Sequence, residues 1–377
     1  MISLFTGAGD NAVSCSVMLE ILRALSHSDH KLRHGIIFLF NGAEENVLQA
    51  SHGFITQHPW ASTIKAFVNL DSAGAGGWEI VFQTGPEHPW LVRAYAEAAH
   101  YPFASVLGQE LFQAGIIPSD TDFRIFRDFG KIPGLDIAHV ANGYVYHTLN
   151  DKTDYIPEGC IQRAGENIMN LLKELASNPK LADPGLDKHG AMVFFDFVGY
   201  FMIHYPQRIG NILNCVVVGF AFLSVYMKIS KRQSQVASSL QHIKYIIGAM
   251  MVIFGSWMVT FVAVIIFGLL LSFAGYSLFW YTNTYNILTV YIMPGLIIVL
   301  SIHDSIKEKY LKQFEPWYIE SVFFDASLLI WSLFVIILTY LGVGSAALIM
   351  FWVFGPVILR EAAFQVFEKS IYECHIS

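Results

Sequence analysis

Cysteine is scarce in this chain. Cys15, Cys160, Cys215 and Cys374 are its four cysteines in 377 residues, and no two form a C-x-x-C pair, which argues against a cysteine zinc site and a disulfide framework. Charged residues are also few, at 14%, against a hydrophobic share of 54%. That is too apolar for an ordinary soluble protein, so part of the chain should sit in lipid. A basic surplus is missing: the net charge is -7. Without a basic face there is no electrostatic footprint for DNA or RNA, and no nucleic acid is expected as a partner. The glycines Gly74, Gly76 and Gly77 are followed by no phosphate-loop lysine, which excludes nucleotide binding of that kind. Met1 to Thr6 lacks the basic and apolar regions of a signal peptide. Targeting therefore falls to a later membrane segment or to a segment missing from this chain.

The charges that are present are uneven. Residues 1–178 hold 11 Lys/Arg and 19 Asp/Glu, while residues 179–377 hold 12 and 11, so the first part reads as soluble and acidic. In it, β-rich runs at Gly35 to Phe40, Ala66 to Leu70, Ile80 to Phe82 and Leu135 to Val140 alternate with helical patterns around 11–25, 45–57, 89–100 and 158–176. Such alternation predicts an α/β fold, a mostly parallel sheet with helices on both faces. Pro179, Pro184 and Gly185 end the last helix, and 179–207 reads as a linker. A polytopic α-helical membrane domain is expected over 208–377, with about five spans near 209–227, 245–276, 280–302, 324–343 and 345–359. Lys228, Lys231, Arg232 and Lys244, then Lys307, Lys309 and Lys312, then Arg360 and Lys369 make alternate loops basic. The positive-inside rule puts those loops in the cytosol and the first part on the other side of the membrane. No buried charge marks a transport path through the spans, and His303 and Asp304 read as solvated residues at a span end.

Four motifs stand at strand or helix ends of the first part: Gly7-Ala8-Gly9-Asp10-Asn11-Ala12, Asn41-Gly42-Ala43-Glu44-Glu45, Asn69-Leu70-Asp71-Ser72-Ala73-Gly74 and Tyr146-His147-Thr148-Leu149-Asn150-Asp151. Singly, each has an ordinary explanation. Asp10 could be a helix N-cap, Glu44 and Glu45 first-turn acids, and His147 a loop histidine. Asp71 is harder to dismiss, because Asp is depleted in strands. Together they bring carboxylates to the carboxyl ends of strands, where sites form in open α/β sheets. Converging carboxylates need a counter-charge, and a divalent metal supplies it. Of the adjacent Glu44 and Glu45, one can bind the metal while the other takes a proton from a water that the metal acidifies.

In this order, G-A-x-D-N-A, N-G-A-E-E, N-L-D-x-x-G and Y-H-T-x-x-D-x-x-D resemble the di-zinc aminopeptidase family over residues 7–176. Fusion to a polytopic membrane half makes the chain similar to the endoplasmic reticulum metallopeptidases and their fungal vacuolar relatives within that family. The resemblance implies a zinc exopeptidase-like fold, a peptide substrate and a multi-pass position in the endoplasmic reticulum membrane, or a vacuolar or other endomembrane, with the peptidase part lumenal. It further implies Asp10 bridging two zinc ions, Glu45 and His147 completing one site, Asp71 in the other, and Glu44 as general base. Asp151 and Asp154 match the pattern as supporting residues. Ser119 to Phe123, with Asp122, resembles the segment on the substrate side, or is simply a helix N-cap with first-turn acids. The family's His from an upstream H-x-D has no counterpart in Met1 to Gly9, so relative to the family the domain reads as incomplete at its N-terminus. One zinc, held by Asp10, Glu45 and His147, is then conceivable, as in glutaminyl cyclases, which share the fold. A catalytically silent zinc-binding scaffold and a transporter-like protein with a vestigial domain are the competing functions. Oligomeric state is open.

Overall fold

The structure is a computed structural model that describes residues 7–29, 31–85, 87–184, 190–231, 238–283 and 285–374. Met1 to Thr6, Gly185 and Arg232, each used above, lie outside the described residues. The chain divides into two compact units, Met1–Gly210 and Asn211–Ser377.

The first unit is built on β1 (Phe67–Ser72), β2 (Glu79–Gly85) and β3 (Gly134–His139), in the order β1-β3-β2. β1 and β3 are parallel, while β2 runs antiparallel to β3. The sheet is thus mixed. The glycine loop after Asp71 reverses the chain into β2, with Gly76 and Gly77 in the left-handed region that only glycine adopts without strain. β3 is buried at every position, as a central strand covered on both faces must be.

The described α-helices of this unit are α1 (Ser14–Ser26), α2 (Gln49–Gln57), α3 (Pro89–Ala98), α4 (Val106–Gln113), α5 (Asp122–Asp128) and α6 (Cys160–Ser177). Helix α6 buries Ala164, Ile168, Leu171 and Leu175, one stripe at helical spacing. Ala164 and Ile168 pack with Val17 and Ile21 of α1, against Leu70 of β1. On the other face Phe67 stacks on Phe123 and Phe126 of α5. Helices therefore cover both sides, and the α/β expectation holds.

Two segments differ from the sequence reading. Gly35 to Phe40 has no regular secondary structure and pairs with no strand among the described residues. It keeps a strand's apolar spacing without a ladder, and Phe38 packs on the α1/α6 cluster. The stretch read as a linker contains a hairpin, β4 (Met192–Phe197) and β5 (Phe201–Pro206). Buried Met192, Val193 and Phe194 give it a core face. Asp196 N donates to Ala104 O at 3.1 Å, and Phe103 to Ser105 bridges β4 to β2.

The second unit is helical: α7 (Gln207–Lys231, which starts in the first unit), α8 (Ser239–Phe273), α9 (Tyr285–Ile287) leading through a wide turn into α10 (Met293–Tyr310), α11 (Pro316–Tyr340) and α12 (Ala346–Cys374). Ser238 and Gln241 form a reciprocal capping box at the start of α8. Among the described residues, four stretches are long and apolar enough to cross a membrane: Gln207–Ser230, Ser239–Phe273, Tyr285–Tyr310 and Pro316–Tyr340. The fifth expected span corresponds to a shorter apolar stretch, Ala346–Arg360.

The expectation of no buried charge among the spans is overturned. Asp325 of α11 is fully buried. Lys228 Nζ of α7 donates to its Oδ2, and Arg360 Nη1 of α12 donates to its Oδ1 at 2.6 Å. His242 Nε2 of α8 lies 4.0 Å from Oδ2. Lys228 and Arg360, counted above as loop cations, stand inside helices and point into the bundle. Near a helix end, sequence position alone does not distinguish a solvated cation from one turned inward to a carboxylate.

Candidate metal centre

The turn Ala8–Val13 carries Asp10 into α1. Asp151, itself buried, holds that turn from below. Its Oδ1 accepts from Gly9 N at 2.7 Å and its Oδ2 from Asp10 N at 3.0 Å. Asn11 Nδ2 donates to Leu70 O at 2.9 Å, tying the turn to β1. Gly9 must be glycine, since a Cβ there would stand 2.5 Å from Gly74 O. Glu44 and Glu45 occupy the turn before α2, where Ala43 has φ +55° and Leu48 N donates to Glu44 O at 2.9 Å. Asp71 stands near the carboxyl end of β1. His147 follows the short turn Gly143–Val145, at φ +56°, with its ring stacked on Tyr146 at 3.8 Å.

Three of these four segments bring one donor each together. His147 Nε2 lies 2.8 Å from Glu45 Oε1 and 3.4 Å from Asp10 Oδ2, and the donor atoms of Asp10, Glu45 and His147 all lie within 4.8 Å of one another. Asp71 is not in that set, but its charge raises the pKa of Asp10 and Glu44. Burial, then repulsion from Asp71 and Glu45, pushes Asp10 up to about 8. Glu44 is also pushed up to about 8, by burial first and then by Asp71, Asp122 and Glu45. Asp71 rises to about 6, chiefly by burial. No lysine or arginine appears among the groups acting on these three. A bound divalent cation would reverse these shifts, and one imidazole with two carboxylates is a donor set that zinc accepts. The residues therefore fit a metal.

Asp122 starts α5 behind Thr121, whose side chain caps the helix by accepting from Phe123 N at 3.3 Å. It is buried, its Oδ2 accepts from Asn41 Nδ2 at 2.5 Å, and its Oδ1 has no partner among the described residues. Asp122 is thus both a first-turn acid and a neighbour of the site. Asp154 is exposed in the short turn Thr153–Tyr155 and makes no hydrogen bond or ion pair to the cluster among the described residues. Asp136 is the residue the sequence reading missed. It is fully buried in β3 and accepts from Asn69 Nδ2 at 2.9 Å, Gln83 Nε2 at 2.9 Å and Thr121 Oγ1 at 2.5 Å. Burial, with Asp71 nearby, pushes it up to about 7. An Asp inside an apolar strand was the available signal, the same one that singled out Asp71.

Comparison with known proteins gives the class first. Residues 3–172 match Peptidase family M28. The chain thus carries an M28 peptidase domain, as the four motifs suggested. Residues 242–371 match the description "Endoplasmic reticulum metallopeptidase 1, TM domain". Endoplasmic reticulum metallopeptidase 1 of Homo sapiens is 49% identical over 96% of this chain and 40% of its own length, and that of Mus musculus 48% over the same shares. A vacuolar membrane protease of Schizosaccharomyces japonicus is 33% identical over 47% of this chain and 21% of its own. The chain spans about two fifths of the length of the metallopeptidase relatives.

Proposed function

We propose that the first unit is a zinc metallopeptidase of the aminopeptidase type, with Asp10, Glu45 and His147 holding the metal and Glu44 acting as general base. The observation that carries this reading is the convergence of those three donors beside a second, half-buried glutamate whose pKa is raised by burial and by the surrounding carboxylates. A bound zinc would supply Lewis acidity to the scissile carbonyl and to the attacking water. Glu44 would take the water's proton and pass it to the leaving amine. The surrounding carboxylates Asp71 and Asp122 suit a protonated N-terminal amine, which selects the end of a peptide. Asp136 and Asp151 would fix the strand and turn on which these groups stand.

The relatives' names support the endoplasmic reticulum membrane, with the vacuolar relatives pointing to another endomembrane as the alternative. Lys231, Lys244, Lys307, Lys309 and Lys312 support a lumenal first unit by the positive-inside rule. The three-donor set also favours a second reading, cyclisation of N-terminal glutamine at one zinc, which would release ammonia from a glutaminyl peptide instead of a free amino acid.

Elemental analysis of the detergent-purified chain, run beside turnover of aminoacyl and glutaminyl peptides, tests both readings. Bound zinc with amino-acid release that Glu44→Gln abolishes, the metal remaining, is the expected result. Zinc without turnover of either substrate would leave a binding scaffold, and turnover undiminished by Glu44→Gln would remove the base assignment.

A further inference from the structure

We propose that the small cavity behind the Asp10 turn is a binding site for one water molecule, held by His139, Glu79 and Ser14, and that through this water His139 and Ser14 are positioning residues for Asp10. The positioning role rests on the metal reading above, while the water site does not.

Three buried polar side chains meet at the cavity from three elements. His139 ends β3 and pairs with Glu79 at the start of β2, so both side chains stand on one face of the sheet. Helices α1 and α6 cover that face, and Ser14 begins α1, four residues after Asp10. A cavity of about 10 Å³ lies between the three, walled elsewhere by Leu70, Ile137 and residues of the α1/α6 cluster. Asp71 borders it as well, but alternation along β1 turns its carboxylate to the opposite face, the one that carries Asn69 and Asp136.

Each of the three groups can bond an occupant. His139 is 4% exposed, and its Nε2 is buried with no hydrogen-bond partner among the described residues. Ser14 is as deeply buried, and its hydroxyl both donates and accepts. Glu79 is 1% exposed and accepts from Asn167 Nδ2 on one oxygen and from Arg163 Nη1 at 3.1 Å on the other. A carboxylate oxygen accepts a second donor besides. A buried ring nitrogen left bare is costly, so a cavity that it borders favours a polar occupant.

Size and charge select water. A volume of about 10 Å³ is the room that one water requires, and a buried water makes about three hydrogen bonds, the number of polar groups at hand. Arg163 already balances Glu79, and burial, with Arg163 nearby, lowers the pKa of His139 to about 4. The imidazole is therefore neutral, no excess negative charge remains to hold a metal ion, and Glu79 repels an anion. A neutral imidazole presents Nε2 either as N–H or as a bare nitrogen, and water bonds to both. The water joins β2 and β3 to the first turn of α1. The turn Ala8–Val13 runs directly into that helix and is already tied to β1 through Asn11 and to the His147 loop through Asp151. The water is a third tether, from behind.

The test is a structure of the detergent-purified full chain at a resolution that shows ordered water, determined with zinc and after chelation, beside zinc affinity from chelator competition. One density peak within hydrogen-bond distance of His139 Nε2, Ser14 Oγ and the Glu79 carboxylate, in both forms, is the expected result. An empty cavity, or an Nε2 turned to a protein partner, overturns the water site. Positioning is tested by Ser14→Ala, in which alanine keeps the helix, by His139→Leu and by the two combined. Each single change should weaken zinc binding by about threefold or more, and the double variant no further than the worse single one, because both act through one water. No loss, or losses that add, overturns the positioning role. Should His139→Leu fail to fold, Ser14→Ala decides alone: zinc weakened to that extent supports the role, and unchanged zinc overturns it. If the wild type binds no zinc, the metal reading and the positioning role fail together, and the density peak alone decides the water site.

Discussion

Two acidic centres, one fully buried in the second unit and one half-buried in the first, resolve the same electrostatic problem in opposite ways. Around Asp325 the fold brings its own cations, Lys228 from α7 and Arg360 from α12, with His242 close by. Around Asp10, Glu44 and Asp71 it brings more carboxylates and one imidazole. A carboxylate that receives two cationic donors is neutralised by the protein and ties helices together. Carboxylates left to repel one another hold protons to unusually high pH, and a bound cation, as proposed here, would take the protons' place. The comparison shows what separates a structural ion cluster from a metal site: which residues supply the balancing charge.

The largest effect that could break the comparison is on catalysis. Glu44→Gln should lower turnover by about 10²- to 10⁴-fold, the range for a general base, with zinc content unchanged by elemental analysis. Next comes Asp325→Asn, which leaves two buried cations facing each other and should cost about 3–5 kcal/mol in the second unit. Thermal unfolding in detergent reads that loss, and Lys228→Met should cost less, because Asp325 keeps Arg360. If Lys228→Met costs as much, the sharing inferred for Asp325 is wrong.

A third effect is pH dependence of the metal-free first unit. Asp10 and Glu44 at about 8, Asp136 at about 7 and Asp71 at about 6 all lie above their unfolded values of about 4. The folded state therefore binds more protons than the unfolded one, and stability must fall as pH rises from about 4 to 8. Unfolding midpoints of the chelated protein should show that fall, and added zinc should remove it. The smallest effect sharpens the edge of the site: Asp154→Asn should stay within about 0.5 kcal/mol in stability and leave zinc content unchanged.

The three paired strands, α1, α3, α6 and all four site motifs were legible because each is local, written in apolar spacing or in a short run of acids. What escaped was non-local. The Asp325 cluster joins residues 97 and 35 positions apart, and Lys228 and Arg360 read as loop charges until the helices placed them. Gly35 to Phe40 has a strand's pattern, but a strand assignment needs a partner that no single segment encodes. The hairpin at 192–206 was hidden because prolines and a glycine just before it read as a linker. Asp136 was visible in sequence as an acid among Leu135 and Ile137, yet its role needed Asn69, Gln83 and Thr121 in register.

Asp151 has a consequence for how a metal would enter. It stands four residues after His147, and its carboxylate grips the backbone of Gly9 and Asp10. One loop thus carries one donor and splints the turn that carries another. Two of the three proposed ligating arms would be set before any ion arrived, leaving little chain ordering to oppose binding. A site splinted in this way would keep its shape whether or not an ion is bound.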